Sequence, residues 1–221
     1  MSERFPSAHT GVYAPTGVFV CFEGGEGAGK STQSKLLGER LVGSGHVVLL
    51  THEPGDTPVG AEVRRIVLDP STGELADRTE ALLYATDKAE HIHAIVRPAL
   101  DRGEVVITDR YVDSTLAYQG AGRSLDAAEL EWVARWATED LRPHLTVLLD
   151  LDPSDGLTRF AGRDRIERES IEFHQRVRDE FLRLAAADPD HYLVLDARAP
   201  ADEIAVVVHD RVAALLEGAR K

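Results

Sequence analysis

The sequence is poor in several things, and each shortage narrows its function. It has one cysteine, Cys21, in 221 residues, so no disulfide framework can form within the chain and a reducing compartment is expected. Cys21 lies inside an apolar run and reads as a small buried core residue. Basic residues are in deficit: 25 Lys and Arg stand against 38 Asp and Glu, a formal charge of −13. A general nucleic-acid binder would carry a basic face. A few arginines in one cleft can still outweigh a dispersed acidic surface, so an anionic small molecule stays open as a ligand. No apolar run approaches the length of a membrane span. The first residues, MSERFPSAHTGVYAPTG, lack the apolar stretch of a secretory signal. Residues 1–15 read as a loose polar tail, residues 16–221 as one domain, and the setting as cytoplasmic.

What is present is an alternation of short apolar runs with longer amphipathic segments, without repeats or low-complexity blocks. The runs Val18–Phe22, Val47–Leu50, Val105–Thr108, Thr146–Leu151 and Tyr192–Leu195 are rich in Val, Leu and Ile, as strands covered on both faces are. Helical patterns fall at Lys30–Val42, Val59–Leu68, Thr79–Arg102, Asp126–Ala137, Ile166–Ala186 and Ala201–Leu216. An α/β fold with a five-stranded parallel sheet and helices on both faces follows. In such sheets ligands bind outside the carboxyl ends of the strands.

The segment Gly24-Gly25-Glu26-Gly27-Ala28-Gly29-Lys30-Ser31 follows the first strand and opens a helix. It matches G-x-x-x-x-G-K-[ST] in full, which makes this a P-loop NTPase fold. Glycines let successive N–H groups converge into an anion nest, and the helix adds its positive end. Lys30 is placed to reach the β- and γ-phosphates of ATP and the Ser31 hydroxyl to hold Mg²⁺, with Thr32 next along the helix. The loop alone does not separate a kinase from other users of nucleotides. The N-K-x-D element of a GTPase does not occur, and helicases or transporter ATPases are usually larger. A small-molecule kinase is expected.

Three segments describe the acceptor. Thr51 to Pro58 follows the second strand, with Arg64 on the next helix. Leu82 to His91 lies in the long helix. Asp109 to Gly120 follows the third strand. Arg64 and Arg110 are planar forks suited to phosphate. Tyr84 and Lys88 share a helix face, where one can stack on a ring and the other donate to its carbonyl. Ser114, Thr115 and Gln119 offer neutral groups for a base edge, and Tyr118 a wall beside a sugar.

With the loop, the stretch DRYVDSTLAYQG resembles the thymidylate kinase family, and the likeness runs from about Gly17 to the C-terminal helix. It implies transfer of the γ-phosphoryl group of ATP to dTMP, giving dTDP in dTTP biosynthesis, with Mg²⁺ and as a homodimer. On that resemblance Glu26 lies near the sugar hydroxyl and the metal, with Ser31 and Asp109 as further metal ligands. Glu53, Arg64 and Arg110 hold the acceptor phosphate, and Tyr84 stands where the family usually has phenylalanine against thymine. Ser114, Thr115 and Gln119 read the base, and Tyr118 favours deoxyribose. His52 and Asp56 depart from the family's Arg-Glu-Pro-Gly-Gly, and Lys88 replaces an arginine. The loop has no arginine at its variable positions, whereas 156–168 holds Arg159, Arg163, Arg165 and Arg168. The chain therefore resembles the bacterial type, with catalytic arginines in a lid at about 156–168. Arg163 and Arg165 are the catalytic candidates beside Lys30 and Arg110, with Arg159 and Arg198 on the ATP side. The plain reading of the lid is a solvated helix with pairs such as Arg165–Glu169. Another small P-loop kinase, perhaps of deoxynucleosides, and a non-catalytic ATP-binding protein are the alternatives.

Other features carry less. His91 and His93 are two apart and do not face each other on a helix. Trp132 and Trp136, four apart, suit core or subunit packing. Asp150 and Asp152 end a strand, where an N-cap role for Asp152 is at least as good a reading as a role near Mg²⁺.

Overall fold

The computed structural model describes residues 11–158 and 164–218. Five parallel strands, β1 (Val18–Glu23), β2 (Val48–His52), β3 (Val105–Asp109), β4 (Leu145–Asp150) and β5 (Tyr192–Asp196), form one sheet in the order β2-β3-β1-β4-β5. The central strand β1 alternates its side chains between two cores. Val18, Val20 and Phe22 pack with Leu37, Leu41, Val208 and Val212, whereas Phe19 and Cys21 pack with Ile92, Val96, Leu100 and Tyr111. Helices α1 (Lys30–Gly43) and α2 (Pro58–Leu68) follow the first two strands. At α2, Pro58 fits the first turn and Thr57 caps it by accepting from the Gly60 N–H at 2.8 Å.

The expected single helix 79–102 is broken. Helix α3 (Asp77–His91) passes into a wide π-type turn at Ile92–Val96 and resumes as α4 (Arg97–Asp101). Pro98 has no N–H to give to the preceding turn, which is where the ladder loosens. After β3 a short helix α5 (Val112–Thr115) runs into a second π-type turn, Leu116–Gly122, and then α6 (Ala127–Ala137), capped by Asp126. After β4 comes α7 (Pro153–Leu157), where Asp152 accepts from the Ser154 N–H at 3.0 Å, the capping role. The helix expected from Ile166 starts later, as α8 (Ile171–Ala187) with Ser170 as its cap. Asp164 instead folds 164–169 into a turn, its carboxylate accepting from the N–H groups of Ile166 and Glu167 at 2.9 and 2.8 Å. Helix α9 (Ala201–Gly218) closes the chain.

Residues 12–14, expected as part of a loose tail, are tied to the domain. Val12 forms a bridge with Leu141, giving its N–H to Asp140 and taking one from Arg142, both at 2.9 Å. Tyr13 stacks on His191 with ring centroids 5.1 Å apart, and Ala14 is buried. An apolar residue at every second position, Val12 and Ala14, was the overlooked signal.

Candidate active site

The strands end at their carboxyl edge in Glu23, His52, Asp109, Asp150 and Asp196, and two adjoining cavities open there. The first is lined by Gly27, Gly29, Lys30, Ser31, Thr32 and Asp109 among others. The second is lined by Tyr84, Lys88, Thr115, Tyr118, Gln119 and neighbours. Glu26, Glu53, Arg64, Arg110 and Asp164 belong to both walls, so the cavities meet at a junction of charged groups.

The loop 24–29 builds the first cavity. Gly27 lies at φ 72°, and a Cβ there would sit 2.6 Å from the Gly156 carbonyl, so only glycine lets the loop close on α7. Lys30 is buried, and its ammonium donates to the carbonyls of Gly24 and Gly25 at 3.0 and 2.8 Å. Burial and the nearby Arg110 guanidinium lower its pKa against the pull of Glu26 and Asp109. Ser31 Oγ donates to Asp109 Oδ2 at 2.5 Å. Two hard oxygen ligands side by side at the loop mouth fit Mg²⁺, which takes few protein ligands and completes its shell from phosphates and water.

Arg110 organises the junction. Its φ of 73° is left-handed, a costly conformation for a non-glycine residue. The turn aims its side chain back at the loop. Nη1 donates to the Gly24 carbonyl at 3.2 Å and to Ser114 Oγ at 3.1 Å, and Nη2 donates to Glu26 Oε1 at 2.5 Å. The guanidinium lies 5.0 Å over the Tyr118 ring, whose hydroxyl also donates to Glu26 Oε1, at 2.7 Å. Burial would raise the Glu26 pKa, but Arg110 and Lys30 outweigh it and hold the carboxyl at about 2. Glu26 is thus a fixed anion at the meeting point of the cavities.

Glu23 is a member that sequence reasoning missed. Fully buried, it accepts from the N–H groups of Tyr111 and Ser114 at 2.8 and 3.1 Å and from Ser114 Oγ at 2.6 Å. Burial and the Asp113 charge raise its pKa. Its only sequence signal was an acid at the end of an apolar strand. The Ser114 hydroxyl donates to Glu23 and accepts from Arg110, so it braces the 110–114 turn, while Ser114 also lines the second cavity. Thr115 Oγ1, by contrast, is buried with no hydrogen-bond partner among the described residues and lies in the wall of the second cavity. An orphaned hydroxyl there leaves a hydrogen bond open for a ligand group to make.

Glu53 and Lys88 come together in a buried cluster. Lys88 Nζ donates to Glu53 Oε2 at 2.7 Å, and His91 Nδ1 lies 2.7 Å from Glu53 Oε1. His91 Nε2 in turn lies 2.6 Å from Thr51 Oγ1, which donates to Asp56. Burial opposes charge on both Glu53 and Lys88, yet each outweighs it for the other, so Glu53 falls and Lys88 rises. Asp56, the departure from the family pattern, is thereby part of the network that holds Glu53. Arg64 donates to the Pro54 carbonyl at 2.8 Å and lies across Gly55, where a Cβ would strike its chain at 2.7 Å.

Asp87 sits at the edge of this cluster. Its Oδ1 accepts from the Gly55 N–H at 3.0 Å, and its Oδ2 has no partner among the described residues. Burial and the Glu53 charge raise its pKa to about 6. The unfolded side chain titrates near about 3.9. The folded state therefore binds the extra proton, and this contribution is full below about pH 4 and lost as pH rises through about 6. The Asp87→Asn protein, neutral throughout, is expected to lose on the order of 2 kcal/mol less stability between pH 4 and pH 8 than the parent. Urea midpoints at the two pH values measure this; equal pH slopes would contradict it.

The remaining candidates are placed less centrally. Arg159 and Arg163 lie outside the described residues. Arg165 pairs with Glu80 rather than with Glu169 and donates to the Val67 carbonyl at 2.8 Å; it lines neither cavity. Arg198 is exposed, pairs with Asp196 at 2.8 Å and lines neither cavity as well. Asp150 and Asp152 are taken by Arg178 at 2.7 and 3.2 Å.

Comparison with known proteins gives the family. Residues 22–207 match the family model described as thymidylate kinase. A thymidylate kinase of Cutibacterium acnes is 54% identical over 200 residues, 90% of this chain and 98% of that protein. One of Clavibacter michiganensis is 53% identical over 205 residues, 91% of this chain and 97% of that protein. The crystal structure of thymidylate kinase from Ehrlichia chaffeensis superposes with a TM-score of 0.70 at 32% identity, covering 91% of this chain and 99% of that one.

Proposed function

The chain belongs to the thymidylate kinase family, whose reaction phosphorylates dTMP to dTDP on the way to dTTP, and we propose how its own residues carry that reaction out. ATP is the donor, its β- and γ-phosphates held by the N–H groups of the loop and by Lys30, which leaves its contacts with Gly24 and Gly25 to reach them. Ser31 and Asp109 hold Mg²⁺, which neutralises phosphate charge when bound. Arg64 and Arg110 grip the phosphate of dTMP where the two cavities meet. Tyr84 stacks on thymine, Lys88 donates to its carbonyl, and Tyr118 and Glu26 border the sugar. Glu53 acts through Lys88 and His91 rather than on the phosphate itself.

The observation that carries this reading is the Arg110–Glu26 pair. It joins the donor loop to the acceptor wall, so the two substrates are presented end to end. Alignment of this kind supplies much of the rate in phosphoryl transfer, where little covalent chemistry falls to the protein. A general base is unnecessary, because a phosphate monoester is already largely ionised at neutral pH. Arg163 and Arg159 are proposed to close over the transferred group. With γ-labelled ATP, label should move to dTMP, and a chelator should stop it; release of label only as inorganic phosphate would overturn the reading.

A homodimer is proposed through α6, where Trp132 and Trp136 stack with centroids 6.5 Å apart while remaining 50% and 73% exposed. Sedimentation of the Trp136→Asp protein as a monomer, against a dimeric parent, is the expected result. A cytoplasmic setting is proposed, supported by the free, buried Cys21. No helix among the described residues is long and apolar enough to cross a membrane.

A further inference from the structure

Glu80 lies outside both cavities, yet it is among the most fully engaged side chains in the molecule. It is 1% exposed. Its Oε1 accepts from Gln119 Nε2 at 2.9 Å and Arg123 Nε at 3.2 Å, and its Oε2 accepts from Arg123 Nη2 at 3.2 Å and from Arg165. Arg123 is pinned in turn by Glu169 at 2.5 Å and by the Phe173 ring at 4.9 Å. Burial alone would raise the Glu80 pKa, but these hydrogen bonds outweigh it and keep the carboxylate ionised. An ionised carboxylate only accepts. It therefore decides which way round the Gln119 amide sits: the NH₂ group must face Glu80.

Gln119 lines the second cavity and Glu80 does not. With Nε2 held from behind, the atom that Gln119 offers the cavity is its carbonyl oxygen, an acceptor. In the same cavity wall, Thr115 Oγ1 can either donate or accept, and Lys88 Nζ can only donate. Set opposite the ring N3, with Lys88 donating to the adjacent carbonyl as proposed above, the Gln119 carbonyl accepts from an N3–H. In that register it faces the bare N3 of cytosine, and the donor faces its amino group, so both contacts are lost.

We propose that Glu80 is a positioning residue for base selectivity: by fixing the Gln119 amide with its carbonyl toward the acceptor cavity, it makes the site take pyrimidines with an N3–H and refuse cytosine. The inference rests on the acceptor assignment made under Proposed function. Glu80 touches no substrate and acts only through Gln119. A hydrogen-bonding site discriminates because the wrong partner leaves a buried polar group unpaired.

The test is the ratio of kcat/KM for dTMP to that for dCMP. In Glu80→Gln the new amide can present either end to Gln119, so Gln119 can turn over. The ratio is expected to fall about tenfold, the size of one misplaced hydrogen bond, with the change borne mainly by KM. The exchanged pair Glu80→Gln with Gln119→Glu restores an obligatory acceptor toward the cavity and should recover the ratio. Thermal melting checks that each variant is folded; if the single variant fails to fold, the exchanged pair decides. Loss of activity toward dTMP and dCMP in equal proportion, or an exchanged pair that keeps the lowered ratio, overturns the proposal. A parent enzyme that does not prefer dTMP to dCMP would overturn the acceptor assignment itself, a separate outcome.

Discussion

The Lys30→Ala protein is expected to lose at least about 10³-fold in kcat while folding as the parent does. The expected size follows from removing a preorganised donor at developing phosphoryl charge. The expected stability follows from what Lys30 does without nucleotide. Its ammonium is buried and bonded to two loop carbonyls, and burial lowers its pKa. Removing it takes away a desolvated charge, and the Gly24 carbonyl keeps its hydrogen bond from Arg110. Circular dichroism should show an unchanged fold, and a steady-state assay should show the loss. Near-parental turnover in a folded Lys30→Ala protein would contradict the role given to the loop.

Arg110→Ala should cost as much or more, for a different reason. One guanidinium joins the Gly24 carbonyl, Ser114 Oγ, Glu26 and the Tyr118 ring. Deleting it removes the proposed acceptor-phosphate grip and the main counter-charge of Glu26, which then repels an incoming phosphate. A loss of about 10³-fold or more in kcat/KM for dTMP is expected. Arg110→Lys keeps the charge but cannot span these partners, so it should recover only a small part. Recovery to within a few-fold by lysine would show that charge alone, not the fork, is what the junction needs.

The sequence made the donor side readable and the bracing behind the acceptor side unreadable. The loop from Gly24 to Ser31 is a local pattern whose spacing carries its chemistry, and the five strands follow from apolar runs. Helix breaks were legible only in part. Pro98 within 79–102 is a local signal against one unbroken helix that the reading of a single long helix passed over, and it does not encode a wide turn spread over Ile92–Val96. Asp164 pulling the lid into a turn, with α8 delayed to Ile171, depends on one carboxylate finding two N–H groups, which competes with a helix of similar local propensity. The ties of Glu23 to Ser114 and of Glu80 to Gln119 and Arg165 span 91, 39 and 85 positions. No periodicity encodes such pairs; they exist because the fold packs a strand end, helix α3 and the turns at 116–122 and 164–169 around one edge of the sheet. For this reason the partners that hold Ser114 and Arg165 were not legible in the sequence, and Glu23 and Glu80 were passed over.

The central claim is that the loop and the Arg110 junction together serve a pyrimidine deoxynucleoside monophosphate as acceptor. Nucleotide-coupled ADP release measured across dTMP, dUMP, dCMP, dGMP and thymidine tests it most directly. The account predicts ADP release that depends on acceptor, strongest with dTMP, weak with dCMP and dGMP, and absent with thymidine, which lacks the phosphate that Arg64 and Arg110 hold. Phosphorylation of thymidine as efficiently as dTMP, or ADP release indifferent to every acceptor, would contradict it.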